Sequence, residues 1–457
     1  MRVFSILWLV GLVGVLAISA APVLAQSEVN DDDIRVLEQR GESQFPEGVR
    51  FFIEAESPDP IDDIRVYFKK IGQTNRSSYR AVEFEPGTRI TGDSLIRSGG
   101  NEYIPPGTRI AYTFELRDTA GRVRRTEEQV VVYLDGRFDW QTMSQGPVTV
   151  FYQGAPEEAT ARIVLESASF ALDRMGPILG IAPRDPLHIV TYSNYAFMAE
   201  ALPFRSRATE EQLITEGMAF SEERVLLVYS HDSSVRSTSS HEFTHLLVAD
   251  AVGRAIPQVP TWLNEGLAEY ANVDPDPSFA SFLQRAIDAE TLRPLRFQGT
   301  FSGTPEEIIT AYGQGASVVR YLIDTYGGEK MAELMVAITR TLDIDEALRQ
   351  VYGFDQHGLD TEWRLSMGLE PFPAPEELVS PQPTVQPQAA TQEPEAAPTD
   401  IAPVVPTTDG AEPAAPAGST GCAAPLSNGQ QHGDLAMLLL LMAPLGMLWR
   451  RNRMRRE

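Results

Sequence analysis

Residues 27–137 alternate apolar and polar side chains with a period of two, the pattern of strands that bury one face. The clearest strand candidates are residues 48–55, 64–68, 109–116 and 128–133. Short strands separated by turn-forming residues predict an all-β, immunoglobulin-like sandwich of about a hundred residues. No cluster of titratable side chains occurs in this segment, so we expect it to bind a partner, act as a spacer or support the next unit.

From residue 139 the pattern changes, and helical periodicity alternates with short apolar runs. The predicted strands are residues 148–152, 187–192 and 225–229, and the predicted helices cover 156–175 and long stretches of 306–348. This mixture predicts an α+β domain over residues 139–370.

The amino-terminal residues 1–25 have the features of a secretory signal peptide. Arg2 precedes an apolar run, and Val23-Leu24-Ala25 has the small residues of a cleavage site. The short run and this ending favour cleavage over the alternative, an uncleaved membrane anchor. We therefore expect an exported protein.

The carboxyl-terminal part contains three successive segments of different composition. Residues 371–433 are rich in Pro, Ala, Thr, Gln and Glu, which predicts a disordered stalk. Residues 435–449 are apolar and predict a membrane helix, and the arginine-rich residues 450–457 predict a cytoplasmic tail. The body of the protein is then expected outside the cell, attached to the membrane.

Cys422 leaves a second interpretation of this end open. The order of cysteine, apolar run and arginine cluster is similar to the carboxyl-terminal sorting signals of bacterial surface proteins. In those proteins the tail is cut and the protein is anchored near the motif. A retained helix and a processed anchor both predict attachment at the cell surface.

Charge and cysteine content exclude several classes of function. The formal net charge of −25 at pH 7 repels phosphate backbones, so nucleic acid is not an expected partner. A single cysteine excludes an internal disulfide framework, a cysteine-rich zinc finger and an iron–sulfur cluster.

The segment His241-Glu242-Phe243-Thr244-His245 is the clearest candidate for a catalytic site. We predict that it lies in a helix capped by Ser239 or Ser240. Two histidines four residues apart lie on one helical face, where both reach a single metal ion. Glu242 is placed to take a proton from a water at that ion.

A second predicted helix, over residues 261–270, begins after the break at Pro257–Pro260. Catalytic zinc usually takes three protein ligands, so a third is needed. Nineteen residues separate His245 from Glu265, which is the candidate for that ligand. Glu269 lies one turn further on the same face and can accept the other ring N–H of a ligating histidine.

These residues resemble the gluzincin metallopeptidases, the superfamily of thermolysin and the zinc aminopeptidases. Its pattern is a two-histidine helix followed by a helix with Asn-Glu, seen here in Trp262-Leu263-Asn264-Glu265-Gly266. The resemblance implies a zincin-like fold, Zn²⁺ bound by His241, His245 and Glu265, and Glu242 as general base. The substrate it implies is a peptide or protein.

The resemblance has one informative departure. The aminopeptidase branch carries a Gly-x-Met-x-Asn strand whose acid binds the substrate amino terminus, whereas the upstream Gly217-Met218-Ala219-Phe220 has no acid. The spacing of nineteen residues also matches the thermolysin-like members better. We therefore expect an endopeptidase.

Tyr312 is the candidate donor to the oxyanion of the tetrahedral intermediate. The segment 311–317 resembles one found after the metal helices in minimal members of the superfamily, and we predict that it opens a helix. The alternative role for Tyr312 is packing. His188, His231 and His357 are interpreted as ordinary surface histidines.

The function predicted from the sequence is an exported, membrane-anchored zinc endopeptidase. The alternative is a non-catalytic cell-surface binding protein that retains the peptidase fold. A binding protein would have no need for Glu242, since this residue is not a metal ligand.

Overall fold

The computed structural model describes residues 33–72, 77–203, 216–231 and 233–373. The predicted signal peptide, the apolar run 435–449, the basic tail and all but the first three residues of the stalk lie outside these ranges. Within the described ranges, no helix combines the length and the apolar character needed to cross a bilayer.

The first region of the described part is β-rich and is called here the β unit (residues 33–137). Its strands belong to one hydrogen-bonded sheet. They are β1 (Arg35–Gln44), β2 (Gly48–Lys70), β3 (Ser77–Ala81), β4 (Glu83–Phe84), β5 (Gly87–Arg97), β6 (Arg109–Asp118), β7 (Val123–Arg125) and β8 (Gln129–Val132).

The long strand β2 holds the β unit together. Its first part pairs with β1 and β5, and its second part pairs with β3 and β6. The pairing with β5 is irregular between Glu56 and Ile61, where Pro58 and Pro60 have no N–H to donate. The candidates 48–55 and 64–68 are thus parts of one strand, and an immunoglobulin-like arrangement of two sheets stays a prediction.

A second sheet begins the α+β region. Its order is β12-β13-β11-β10-β9, with β10, β11 and β13 parallel and the two edge strands antiparallel. The strands are β9 (Gln141–Gln145), β10 (Val148–Tyr152), β11 (Leu187–Tyr192), β12 (Gly217–Phe220) and β13 (Val225–Tyr229). The three predicted strands are confirmed with the expected bounds, because their apolar runs are buried on both faces.

In the chain, the first two described helices lie between strands of this sheet, and the others follow its last strand. They are α1 (Glu158–Leu179), α2 (Tyr195–Ala201), α3 (Val235–Val252), α4 (Thr261–Ala271), α5 (Pro277–Asp288), α6 (Pro305–Tyr326), α7 (Gly328–Thr341), α8 (Ile344–Tyr352) and α9 (Gln356–Ser366). Helix α1 confirms the helix predicted at 156–175, and it ends at Gly180, whose φ of 70° suits glycine.

The two faces of the second sheet are buried by different parts of the protein. One face packs on α1 and α3 and forms the main core with Val150, Ile189 and Leu226. The opposite face, called here the outer face, consists of Phe151, Val190, Tyr192, Val225 and Leu227.

The β unit and the chain that leaves it cover the outer face. Phe45 and Val132 come from the β unit, and Phe138 and Trp140 come from the connection between β8 and β9. Polar contacts add to this interface: the Tyr103 hydroxyl donates to the Ala201 carbonyl at 2.5 Å. The two regions therefore share one buried apolar layer.

We expect a chain shortened to residues 139–373 to aggregate, because the outer face would meet water. Exposing each of its large side chains costs about 1.5–3 kcal/mol. Size-exclusion chromatography beside residues 26–373 measures this. A monodisperse short chain with the melting temperature of the longer one would contradict the shared core.

Candidate metal centre

Helix α3 presents the two histidines, and it starts earlier than predicted. It begins at Val235 after Ser234, so Ser239 and Ser240 lie inside it and the predicted cap is wrong. In the first turn, the Thr238 N–H donates to the Ser234 carbonyl at 2.8 Å, and the Ser234 hydroxyl donates to the Glu216 carboxylate at 2.5 Å. Ser240 instead donates to the Arg236 carbonyl within the helix.

Helix α4 begins at Thr261 directly after Pro260, as the proline break predicts. Gly266 allows it to lie against α6, since a Cβ on Gly266 would be 2.5 Å from the Gly315 carbonyl oxygen. Gly315 has a matching position, because its own Cβ would be 2.6 Å from the Trp262 carbonyl oxygen. This close approach fixes α4 between α3 and α6.

The structure brings the three predicted ligands together. His241, His245 and Glu265 each offer one ligand atom, and these atoms lie within 4.8 Å of one another. Glu265 Oε2 is 3.2 Å from His241 Nε2 and 3.6 Å from His245 Nε2. Both Nε2 atoms therefore face the same carboxylate.

The other nitrogen of each ring is held by a polar side chain of α4. His241 Nδ1 is 2.7 Å from Glu269 Oε1, the contact expected of Glu269. His245 Nδ1 is 3.1 Å from Asn264 Oδ1, which the sequence reasoning did not assign. With Nδ1 donating to these acceptors, Nε2 is left as the ligand atom in both rings. The sequence feature that could have identified Asn264 is its position one residue before Glu265, on the helix that faces the two histidines.

Glu269 is itself held by Asn272, a further residue that the sequence reasoning missed. The Asn272 side-chain amide lies 3.4 Å from both carboxylate oxygens of Glu269 and donates to the Ser237 hydroxyl at 2.9 Å. Asn272 is 7% exposed. It therefore fixes the orientation of the carboxylate that orients His241.

The cluster fits a divalent metal ion. Glu242, Glu265 and Glu269 are all buried beside two imidazoles, and buried carboxylates need a cation or donors to compensate them. Glu265 Oε1 is buried and has no hydrogen-bond partner among the described residues. Two imidazole nitrogens and one carboxylate form the donor set that zinc takes in hydrolases.

For Glu265 and His241, charges and hydrogen bonds within the cluster outweigh the effect of burial on the pKa. Burial tends to raise the pKa of Glu265, but the charges of His245 and His241 and the Tyr312 hydrogen bond outweigh it, so this pKa is lowered. Burial tends to lower the pKa of His241, but hydrogen bonds to Glu265 and Glu269 raise it. The pKa of His245 is lowered, mainly by burial.

Glu242 lies on α3 beside the edge strand β12. Burial raises the pKa of its carboxyl to about 7, against the lowering effects of His241 and of the nearby Ala219 backbone N–H. A Cβ on Gly217 would be 2.8 Å from Glu242 Cγ, so glycine is needed for this contact. The side chain is next to the ligands without binding as one of them.

Tyr312 reaches the cluster from α6. Its hydroxyl interacts with the Glu265 carboxylate, and its ring stacks on Phe279 at 5.5 Å between centroids. The prediction that 311–317 opens a helix is wrong, because α6 already begins at Pro305 with a Thr304–Glu307 capping box. Burial raises the pKa of Tyr312 well above its ordinary value, so the hydroxyl keeps its proton.

The three remaining histidines of the described residues lie elsewhere. His231 is exposed, as predicted. His188 is 6% exposed and its Nδ1 lies 2.7 Å from the Gly107 carbonyl, so the prediction of a surface residue is wrong there. It serves the contact between the β unit and β11. His357, in α9, is half-buried.

A cavity of about 440 Å³ lies between α5, the 289–304 loop and the start of α6. Phe282, Arg285, Arg293 and Phe301 are among its lining residues, and the metal-ligand candidates are not. Phe301 contacts the Tyr312 ring at 5.1 Å between centroids. The cavity is thus separated from the metal cluster by aromatic side chains.

A known protein family matches the part of the chain that contains the metal cluster. Residues 167–368 match the family model described as the Peptidase MA superfamily. This stretch is similar to the domains of that superfamily. It contains the whole cluster described above, from His241 to Tyr312. No curated protein matches the chain.

Solved structures with detectable likeness to the chain include a hydrolase, an aminopeptidase and a carbohydrate-binding module. Native yeast LTA4 hydrolase has 14% identity and a TM-score of 0.31, over 76% of this chain and 69% of its own. Aminopeptidase A of Legionella pneumophila, in complex with aspartic acid, has 10% identity and a TM-score of 0.32, over 74% and 50%. A family 56 β-1,3-glucan-binding domain has 13% identity and a TM-score of 0.15, over 22% and 98%.

Replacing Glu269 should weaken metal binding without removing a ligand. We expect Glu269→Gln to lower zinc affinity about tenfold and Glu269→Ala about a hundredfold, because His241 loses the group that orients its ring. Competition with a chromophoric chelator measures the affinity, with the exposed Glu329→Gln as control. Wild-type affinity in Glu269→Ala would show that the contact does not support the site.

Proposed function

We propose that the chain is a zinc-dependent endopeptidase held at the outer surface of the cell. The observation that carries this proposal is the buried set of two imidazole Nε2 atoms and the Glu265 carboxylate, with Glu242 beside them. It lies within the stretch that matches the Peptidase MA superfamily. His241, His245 and Glu265 would hold the metal.

A bound zinc ion would act as a Lewis acid that polarises the scissile carbonyl and acidifies the attacking water. Glu242 would accept the proton of that water and deliver it to the leaving nitrogen. The backbone at Gly217 packs on the Glu242 side chain and keeps it in place for both transfers. Glu269 and Asn264 keep the two imidazoles oriented throughout.

The Tyr312 hydroxyl would donate a hydrogen bond to the oxygen that becomes negative during attack. Its position beside Glu265 and its raised pKa support a protonated donor at the edge of the cluster.

Endopeptidase action is supported by the residues around the edge strand. Strand β12, Gly217–Phe220, lies beside Glu242 and has no acid for a substrate amino terminus. The acid just before it, Glu216, accepts a hydrogen bond from Ser234 at the start of α3. A substrate chain is thus not required to end at this strand.

Purified residues 26–373 should cleave an unfolded, fluorophore-labelled protein in the presence of zinc. Glu242→Gln should keep zinc and lower the rate by about 10²–10⁴-fold, because proton transfer is lost. Glu265→Ala should lose zinc itself, and a chelator should abolish cleavage reversibly. Exposed Glu306→Gln is the control.

The products of the same digest test the endopeptidase assignment. Internal fragments in mass spectra support it, and stepwise release of amino-terminal residues would contradict it. Equal cleavage by wild type and Glu242→Gln would reject the mechanism. A wild type that binds zinc and unfolded protein but cleaves nothing would favour the binding-protein alternative.

Attachment to the membrane is proposed from residues 1–25 and 435–457. In intact cells, the full chain should fractionate with membranes and be digested by added protease, whereas a chain that ends at residue 433 should be released. Membrane attachment that survives Cys422→Ala supports a retained helix over an anchor on the cysteine. A protease-resistant full chain in the soluble fraction would contradict surface attachment.

A further inference from the structure

The turn between β12 and β13 is held from two sides by oppositely charged pairs. Glu223 in this turn pairs with Lys70, the last residue of β2 in the β unit. The next residue, Arg224, pairs with Asp250 of α3 at 2.7 Å. The turn therefore links the β unit to the helix that carries His241, Glu242 and His245.

Backbone and aromatic contacts place the β unit directly against the same hairpin. A Cβ on Gly72 would be 1.8 Å from the Glu222 carbonyl oxygen, so the two backbones touch. The Tyr103 ring lies 5.6 Å from the Phe220 ring, between centroids. Tyr103 belongs to the β unit and Phe220 to the β12–β13 hairpin, which are the two parts that the Lys70–Glu223 pair joins.

The other end of the hairpin reaches the proposed general base. The Gly217 backbone packs on the Glu242 side chain, where an added Cβ would be 2.8 Å from Glu242 Cγ. Strand β12 has only four residues between this contact and the turn, so we expect a shift of the turn to reach Gly217. The position of Glu242 then depends on what holds the turn.

We propose that Lys70 is a positioning residue, which acts through Glu223 and strand β12 on the Glu242 carboxylate. This inference rests on the proposed peptidase function. The Glu223 side chain is 9% exposed, so without Lys70 its carboxylate loses the cation that pairs with it and must take up a proton or move toward water. Either response removes the ion pair that ties the turn to the β unit, and Gly217 then moves away from Glu242.

Lys69 provides a matched control on the same strand. It pairs with Glu128 inside the β unit at 2.9 Å, and both side chains are well exposed. Removing its charge breaks an ion pair of the same type one residue away without touching the β12–β13 turn. Exposed pairs of this kind contribute little to stability.

The first test uses hydrogen exchange of zinc-loaded residues 26–373, and needs no activity. We expect Lys70→Met to raise amide exchange at residues 217–220 roughly tenfold, with Lys69→Met and Lys70→Arg close to wild type. If Lys70→Met does not fold, Glu223→Gln is measured instead, because it removes the same pair and keeps the side-chain shape. Equal exchange in the Lys70 or Glu223 variant and in Lys69→Met would overturn the proposal.

The second test uses cleavage kinetics. We expect Lys70→Met to lower kcat roughly ten- to a hundredfold, as misplaced catalytic groups do, with zinc content and KM unchanged. The exchanged pair Lys70→Glu with Glu223→Lys should recover most of the kcat. An unchanged kcat in a variant with raised exchange would overturn the positioning role. A wild type without cleavage rejects the proposed function instead, and the exchange data then decide the coupling by themselves.

Discussion

The packing of α3 against α4 around a buried polar cluster is the constraint on which the rest of the structure depends. Two imidazoles and three carboxylates are at most 9% exposed, so each needs a partner inside the protein. Glu269 and Asn264 hold the rings from one side and Glu265 faces both Nε2 atoms. This requires the two helices to keep a fixed separation and register.

The elements around these helices maintain that separation. The glycines at the contact of α4 and α6 let the two backbones approach, and this brings Tyr312 to Glu265. On the opposite side, α3 packs on a sheet whose outer face is covered by the β unit. The β unit is therefore part of the support of the site, although its own residues contain none of the proposed ligands.

The sequence predicted most of the site and much of the fold around it. The ligand candidates could be found because helical spacing places His241 and His245 on one face and a proline break marks the start of α4. Strands of the second sheet were predictable because burial on both faces leaves continuous apolar runs. Helix starts were harder to predict from the sequence. The serines at 239 and 240 fit the pattern of a cap, yet α3 starts a turn earlier, after Ser234, whose hydroxyl donates to Glu216.

The sequence by itself determined which side chains can do the chemistry and how each element arranges them along its own axis. Such patterns are local, since they depend on spacing of a few residues. Tertiary structure alone decided that Asn264 and Asn272 hold the site, that His188 is buried, and that Glu223 meets Lys70. These contacts join residues far apart in the chain, and burial selects them only when whole elements pack together.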